Sequence, residues 1–180
     1  FEYKACKFRS AENKKNKYKK NIDLYNTPKY VLDARMKNIY KEDKKRFETI
    51  RWLTNFIKQY GKGEHQKGLY LHGNFGCGKT YLVSAMFNEL ALKDVKSAIV
   101  FWPEFLRDLK ASFGTDFKEK YERVKKVPLL LIDDIGAEAT TAWGRDEIFC
   151  PLIQYRMEEN LPTFFTSNLN LKELEEHFSV

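Results

Sequence analysis

The chain has 180 residues, 43% of them hydrophobic, and carries a net charge of +7, enough to bury a core as one domain or one domain with an appendage. No apolar stretch approaches the ~18–20 residues that span a bilayer, and nothing resembles a secretory signal, so no membrane association is expected. Three widely spaced cysteines, Cys6, Cys77 and Cys150, form no disulfide framework and no metal-ligand pattern with His65, His72 and His177; a reducing cytoplasm is the simplest reading.

Residues 1–50 hold fifteen Lys/Arg against seven Asp/Glu, while residues 51–180 are nearly balanced. The excess lies in the N-terminal stretch, especially "KKNKYKKN" (14–21), which reads either as a solvated linker or as an arm contacting nucleic acid through counterion release. Residues 1–35 are therefore expected to be a basic arm or linker, and 36–180 the folded core. The chain begins at Phe1 and stops abruptly at Val180, as a piece of a longer protein would.

A helical pattern runs from Tyr40 through Phe47, Ile50, Leu53, Ile57 and Tyr60 and ends at Gly61-Lys62-Gly63. Four short apolar runs follow, at 69–72, 98–102, 129–132 and 163–166. They alternate with helical patterns over 79–92, 104–113 with 118–126, and 145–159. This alternation predicts an α/β fold with a parallel sheet flanked by helices. The run at 129–132 has no polar alternation, as a strand buried on both faces requires. Asn170 and Glu173 predict a capping box opening a helix over 171–178. Pro151, inside "RDEIFCPLIQYRMEE", is expected to bend or break its helix.

Gly73-Asn74-Phe75-Gly76-Cys77-Gly78-Lys79-Thr80 satisfies G-x-x-x-x-G-K-[ST], a match that arises by chance in roughly one such chain in a hundred. A polyphosphate must be wrapped by inward-pointing backbone N–H groups, in torsions and at approaches that a Cβ obstructs. The helix that follows presents its amides and the positive end of its dipole. Lys79 can neutralise phosphate oxygens, and the Thr80 hydroxyl can ligate Mg²⁺. "VPLLLIDDIGAE" (127–138) then places Asp133 and Asp134 at the carboxyl edge of the sheet. Asp133 can hold the metal through its water shell, and Asp134 can orient or deprotonate an attacking water. A third strand, "PTFFTSN" (162–168), ends in Asn168, whose amide can detect the γ-phosphate or that water.

In this order the three elements resemble the AAA+ division of P-loop ATPases, with Walker A at 73–80, Walker B at 129–134 and sensor 1 at Asn168. With "WPEFLRDLK", "WGRDEI" and "LIQYRMEENLPTFFTSNLNLKELEEHF", the chain from about Met36 onward looks like the bacterial replicative helicase loaders of the DnaC/DnaI type, nearer the DnaI branch. The resemblance implies a P-loop NTPase of the AAA+ type that binds ATP or ADP with Mg²⁺ through residues 73–81, Tyr81 included. It implies a partner in the hexameric replicative helicase, delivery of that helicase onto single-stranded DNA, self-association of the full-length protein and a bacterial cytoplasmic location. Zinc is implied only for an N-terminal domain upstream, of which Cys6 would be the tail. The arginine finger, the sensor-2 arginine and the C-terminal lid would lie beyond Val180, so weak hydrolysis and assembly are implied for this stretch. Asp134 stands where other AAA+ proteins carry glutamate, which fits slow, switch-like turnover.

For DNA, Arg107 and Lys110 in "FWPEFLRDLKASF" (101–113) are candidates, although Phe105, Leu106, Leu109 and Phe113 sit at core spacing. By family analogy the adenine would rest near Ile39 and Tyr40. Alternatives are a transposition-associated ATPase of the same core fold, a small-molecule kinase, and a nucleotide-gated binding module without useful catalysis. A kinase needs an arginine-bearing lid and an acceptor pocket, and the sequence shows neither.

Overall fold

A computed structural model describes residues 18–39, 44–63, 66–112 and 114–179. Five strands, β1 (Ile22–Tyr25), β2 (Tyr70–His72), β3 (Ser97–Phe101), β4 (Leu129–Asp133) and β5 (Thr163–Ser167), form one sheet in the order β1-β3-β4-β5-β2. Every pairing is parallel. The helices are α1 (Lys44–Gln59), α2 (Lys79–Ala91), α3 (Trp102–Ala111), α4 (Thr115–Lys126), α5 (Cys150–Glu158) and α6 (Leu171–Phe178). None among the described residues is long and apolar enough to cross a membrane.

The unbroken apolar run of β4 has the cause expected of it. Leu129 and Leu131 face one core with Ile99, Phe164 and the apolar sides of α1 and α2. Leu130 and Ile132 face a second core with Val100, Trp102, Phe105, Leu109 and Leu152. Successive side chains point to opposite faces, so a strand covered by helices on both sides needs apolar residues at every position. Gly68 precedes β2 because a Cβ there would lie 1.6 Å from the Thr163 carbonyl oxygen. Trp102, expected at a strand end, instead opens α3, with Pro103 in the first turn where its missing N–H is harmless.

The boundary expected at residue 36 is corrected: the packed body begins by Tyr18. Strand β1 pairs with β3 from Ile22↔Ser97 to Tyr25↔Val100. The chain then returns across α2 in two short 3₁₀ turns, Lys29–Asp33 and Met36–Asn38. Tyr18, Ile22, Val31 and Ala34 are buried in the first core. Buried Asn88 of α2 secures the crossing by donating to the Val31 and Ala34 carbonyls, at 2.8 Å each. The rest of the basic arm, with Cys6, lies outside the described residues.

Pro151 does not break its helix. Trp143–Phe149 forms a π-helical turn that runs straight into α5, and Pro151 falls in the first turn of α5. The wider turn changes which carbonyls need a donor, so the missing N–H is tolerated. The capping box at α6 forms as read: Glu173 N–H donates to Asn170 Oδ1 at 3.0 Å, and Asn170 N–H to Glu173 Oε2 at 2.7 Å.

Arg156 of α5 is 1% exposed and is held by uncharged oxygens. Its guanidinium donates to the Lys125 (3.0 Å), Val127 (2.7 Å) and Pro162 (2.9 Å) carbonyls and to Thr163 Oγ1 (2.8 Å). It thereby ties the end of α4 to the entries of β4 and β5. Burial pulls its pKa down to about 10, which leaves it charged at neutral pH. Arg156→Met should destabilise the fold by roughly 3–5 kcal/mol, since each buried acceptor left without a donor costs about 1–3 kcal/mol. Urea denaturation of the two proteins measures the difference.

Candidate functional site

The carboxyl ends of β2, β4 and β5 meet at a cleft of about 400 Å³ whose lining includes Phe75, Gly76, Gly78, Lys79, Thr80, Tyr81, Asp133, Asp134 and Asn168. The sequence had assigned every one of these a role. Gly73, Asn74 and Cys77 complete the loop between β2 and α2 without lining the cleft. Gly78 has φ 86°, in the left-handed region, and a Cβ on it would lie 2.9 Å from an Arg46 nitrogen. Three loop glycines with positive φ turn the chain into a cradle at the amino end of α2. Such a cradle fits a polyphosphate.

Lys79 lies over this loop. Its ammonium donates to the Gly73 carbonyl at 2.7 Å, the Asn74 carbonyl at 3.0 Å and Asn168 Oδ1 at 3.0 Å. Asn168 reaches Asp134 Oδ1 through a long 3.4 Å contact from its Nδ2. Lys79 and Asn168, just past the end of β5 and 89 residues apart in sequence, are thus direct partners.

Thr80 Oγ1 donates to Asp133 Oδ1 at 2.5 Å. A hydroxyl and a carboxylate are hard oxygen ligands of the kind Mg²⁺ takes, usually with several waters retained. Asp133 is 8% exposed, and burial pushes its carboxyl above the ordinary range against the lowering effect of hydrogen bonds from Thr166 and Thr80. Asp134, the next residue, has φ 60°, an uncommon conformation for a residue with a side chain. The turn keeps at one cleft two adjacent acids that a continuing strand would send to opposite faces.

Further contributors at the cleft escaped the sequence reading. Asn26, Pro28 and Tyr30, from the segment expected to be linker, line its outer wall with Phe101. Arg46 of α1 donates to the Cys77 carbonyl and braces the loop from outside. Thr166 contacts both acids. Only the "PTFFTSN" run hinted at the last; the others have no local signal.

Other expected positions lie elsewhere. Ile39 is buried in the first core rather than in the cleft, and Tyr40 is outside the described residues. Trp102, Phe105 and Leu109 are buried, which accounts for the aromatics of α3. Arg107 is exposed and paired with Glu104 at 3.0 Å; Lys110 borders a shallow groove with Phe117 and Trp143. Neither approaches the cleft. Cys77 and Cys150 are free thiols, and among the described residues no group of three or more His, Cys, Asp or Glu side chains could hold a metal.

Strand order and the position of the loop make this the α/β fold of the AAA+ P-loop ATPases. The sequence matches the bacterial DnaA ATPase domain over residues 32–179, and the chain belongs to that family. It is 39% identical over 179 residues, 99% of its length, to the replicative helicase loader DnaI of Bacillus subtilis (strain 168), and spans 58% of that protein. Among solved structures it resembles a crystal structure of DnaI, with a TM-score of 0.81 at 45% identity over 89% of this chain and 83% of that one. The DnaC helicase loader shares the fold, with a TM-score of 0.72 at 22% identity over 84% of this chain and 90% of that one.

Glu138 lies just beyond the acids. Its Oε2 accepts from Gly136 N–H at 2.8 Å, and its Oε1 is 4.0 Å from His177 Nε2. Burial is the main cause raising its carboxyl pKa above the ordinary 4.5. A carboxyl raised in the folded state favours folding most when protonated, so its contribution is full below pH 4.5 and lost as pH rises through the raised value. Wild type should therefore lose stability relative to Glu138→Gln as pH rises across that window, read as diverging urea midpoints between pH 4 and 8.

Proposed function

We infer that this chain is the ATP-binding and ATP-hydrolysing part of a loader that delivers the replicative DNA helicase onto single-stranded DNA. The observation that supports this most is the junction of Lys79, Thr80, Asp133, Asp134 and Asn168 at one sheet edge, in a chain 39% identical to a helicase loader.

Residues 73–81 hold the nucleotide, with loop N–H groups on the phosphates and Lys79 on the β- and γ-phosphate oxygens. Thr80 and Asp133, the latter through water, would hold Mg²⁺, which would supply charge neutralisation. Asp134 orients the attacking water and accepts its proton. Asn168, within reach of both Lys79 and Asp134, reports whether the γ-phosphate is present. A carboxylate one methylene shorter than glutamate reaches less far toward that water, in keeping with turnover at or below about one per second. Partner contacts, including any of DNA with Arg107, Lys110 or the basic arm, belong to the whole protein, as do self-association and a cytoplasmic location. The likeness to helicase loaders supports the helicase over a transposase as partner.

Titration of this chain with magnesium ATP should give heat and a thermal shift; silence in both overturns the reading. Lys79→Ala should abolish binding. Asp134→Ala should keep nucleotide affinity within about threefold while lowering phosphate release at least about a hundredfold. Pull-down of the hexameric helicase by full-length protein, in ATP and in ADP, tests the partner.

A further inference from the structure

The nucleotide reading assigns Asp133 to the metal and Asp134 to the water, but leaves open what keeps two consecutive acids at two different tasks. One side chain touches both. Thr166, in β5, is 1% exposed. Its Oγ1 donates to Asp133 Oδ1 at 2.6 Å and accepts from Asp134 N–H at 2.9 Å. Its carbonyl accepts from Ile135 N–H at 3.0 Å. A hydroxyl has one hydrogen and two lone pairs, so this one is committed in both directions, and the chain leaving β4 is wrapped around a single residue of its neighbour.

We propose that Thr166 is the positioning residue that divides the labour between the two acids. On one side it joins Thr80 Oγ1, which donates to the same Asp133 oxygen. Two hydroxyls from separate elements, α2 and β5, hold the carboxylate and leave Oδ2 as the oxygen that neither engages, available to the water shell of a cation. On the other side it gives Asp134 N–H a buried acceptor in the left-handed conformation, φ 60°. Without that acceptor the amide would be orphaned and the turn would relax toward extended backbone, carrying the Asp134 carboxylate away from Asn168. Serine preserves both hydrogen bonds; valine matches the shape and makes neither.

This inference rests on the nucleotide reading, and its test separates the two. ATP affinity of wild type, T166V and T166S is measured by calorimetry with Mg²⁺ and with EDTA, alongside steady-state turnover. In EDTA the three should agree within about twofold. The gain in affinity from Mg²⁺ should fall at least about tenfold in T166V, as expected for a lost hydrogen bond to a charged group. T166S should recover it to within about threefold. The kcat of T166V should fall by at least about tenfold, more than any change in KM. A merely structural role would lower stability and leave the magnesium-dependent part unmoved. If T166V does not fold, T166A carries the same comparison. Wild-type magnesium dependence in a folded hydroxyl-free variant, or loss in T166S as large as in T166V, overturns the inference alone. A wild-type chain that binds no nucleotide overturns the nucleotide reading and this inference with it.

Discussion

Strand β4 places apolar side chains on its two faces in alternation and ends on Asp133. Flanked by β3 and β5 and covered on both sides, it has no freedom to slip, because a shift of one residue would exchange the two faces and move the acid off the sheet edge. The cleft follows from that constraint. With β4 in register, Asp133 meets the hydroxyl opening α2 and the hydroxyl near the end of β5. The chain then turns through a left-handed residue that sends Asp134 toward Asn168.

The ammonium of Lys79 shows how closely the parts are coupled. It binds two carbonyls of its own loop and the amide oxygen of Asn168, so a ligand claiming this lysine must also release the tip of β5. Anything that rearranges at Asn168 is felt at Asp134 through the same side chain.

The segment before α1 changes how the domain should be pictured. It supplies an edge strand, covers α2 and contributes Asn26, Pro28 and Tyr30 to the cleft wall. Asn26 also reaches across to Asp108 of α3 at 3.0 Å. A stretch that read as linker is thus in contact with both the cleft and a flanking helix.

Sequence by itself settled the features that depend on local chemistry. A phosphate loop requires glycine where φ is positive. A strand buried on both faces requires an unbroken apolar run, and a helix start requires Asn170 and Glu173 three residues apart. These made the α/β class, the loop, the paired acids and Asn168 legible. Tertiary structure alone decided what depends on neighbours distant in the chain. Ile22–Tyr25 is too short and too close to a lysine-rich run to show a period, and becomes a strand only because β3 offers it an edge. Pro151 is harmless only because a π-helical turn precedes it. Arg46 and Thr166 join the cleft only because α1 and β5 fold back onto it. A side chain's type is written in the sequence, but its partner is chosen by packing that brings residues dozens of positions apart to within a hydrogen bond.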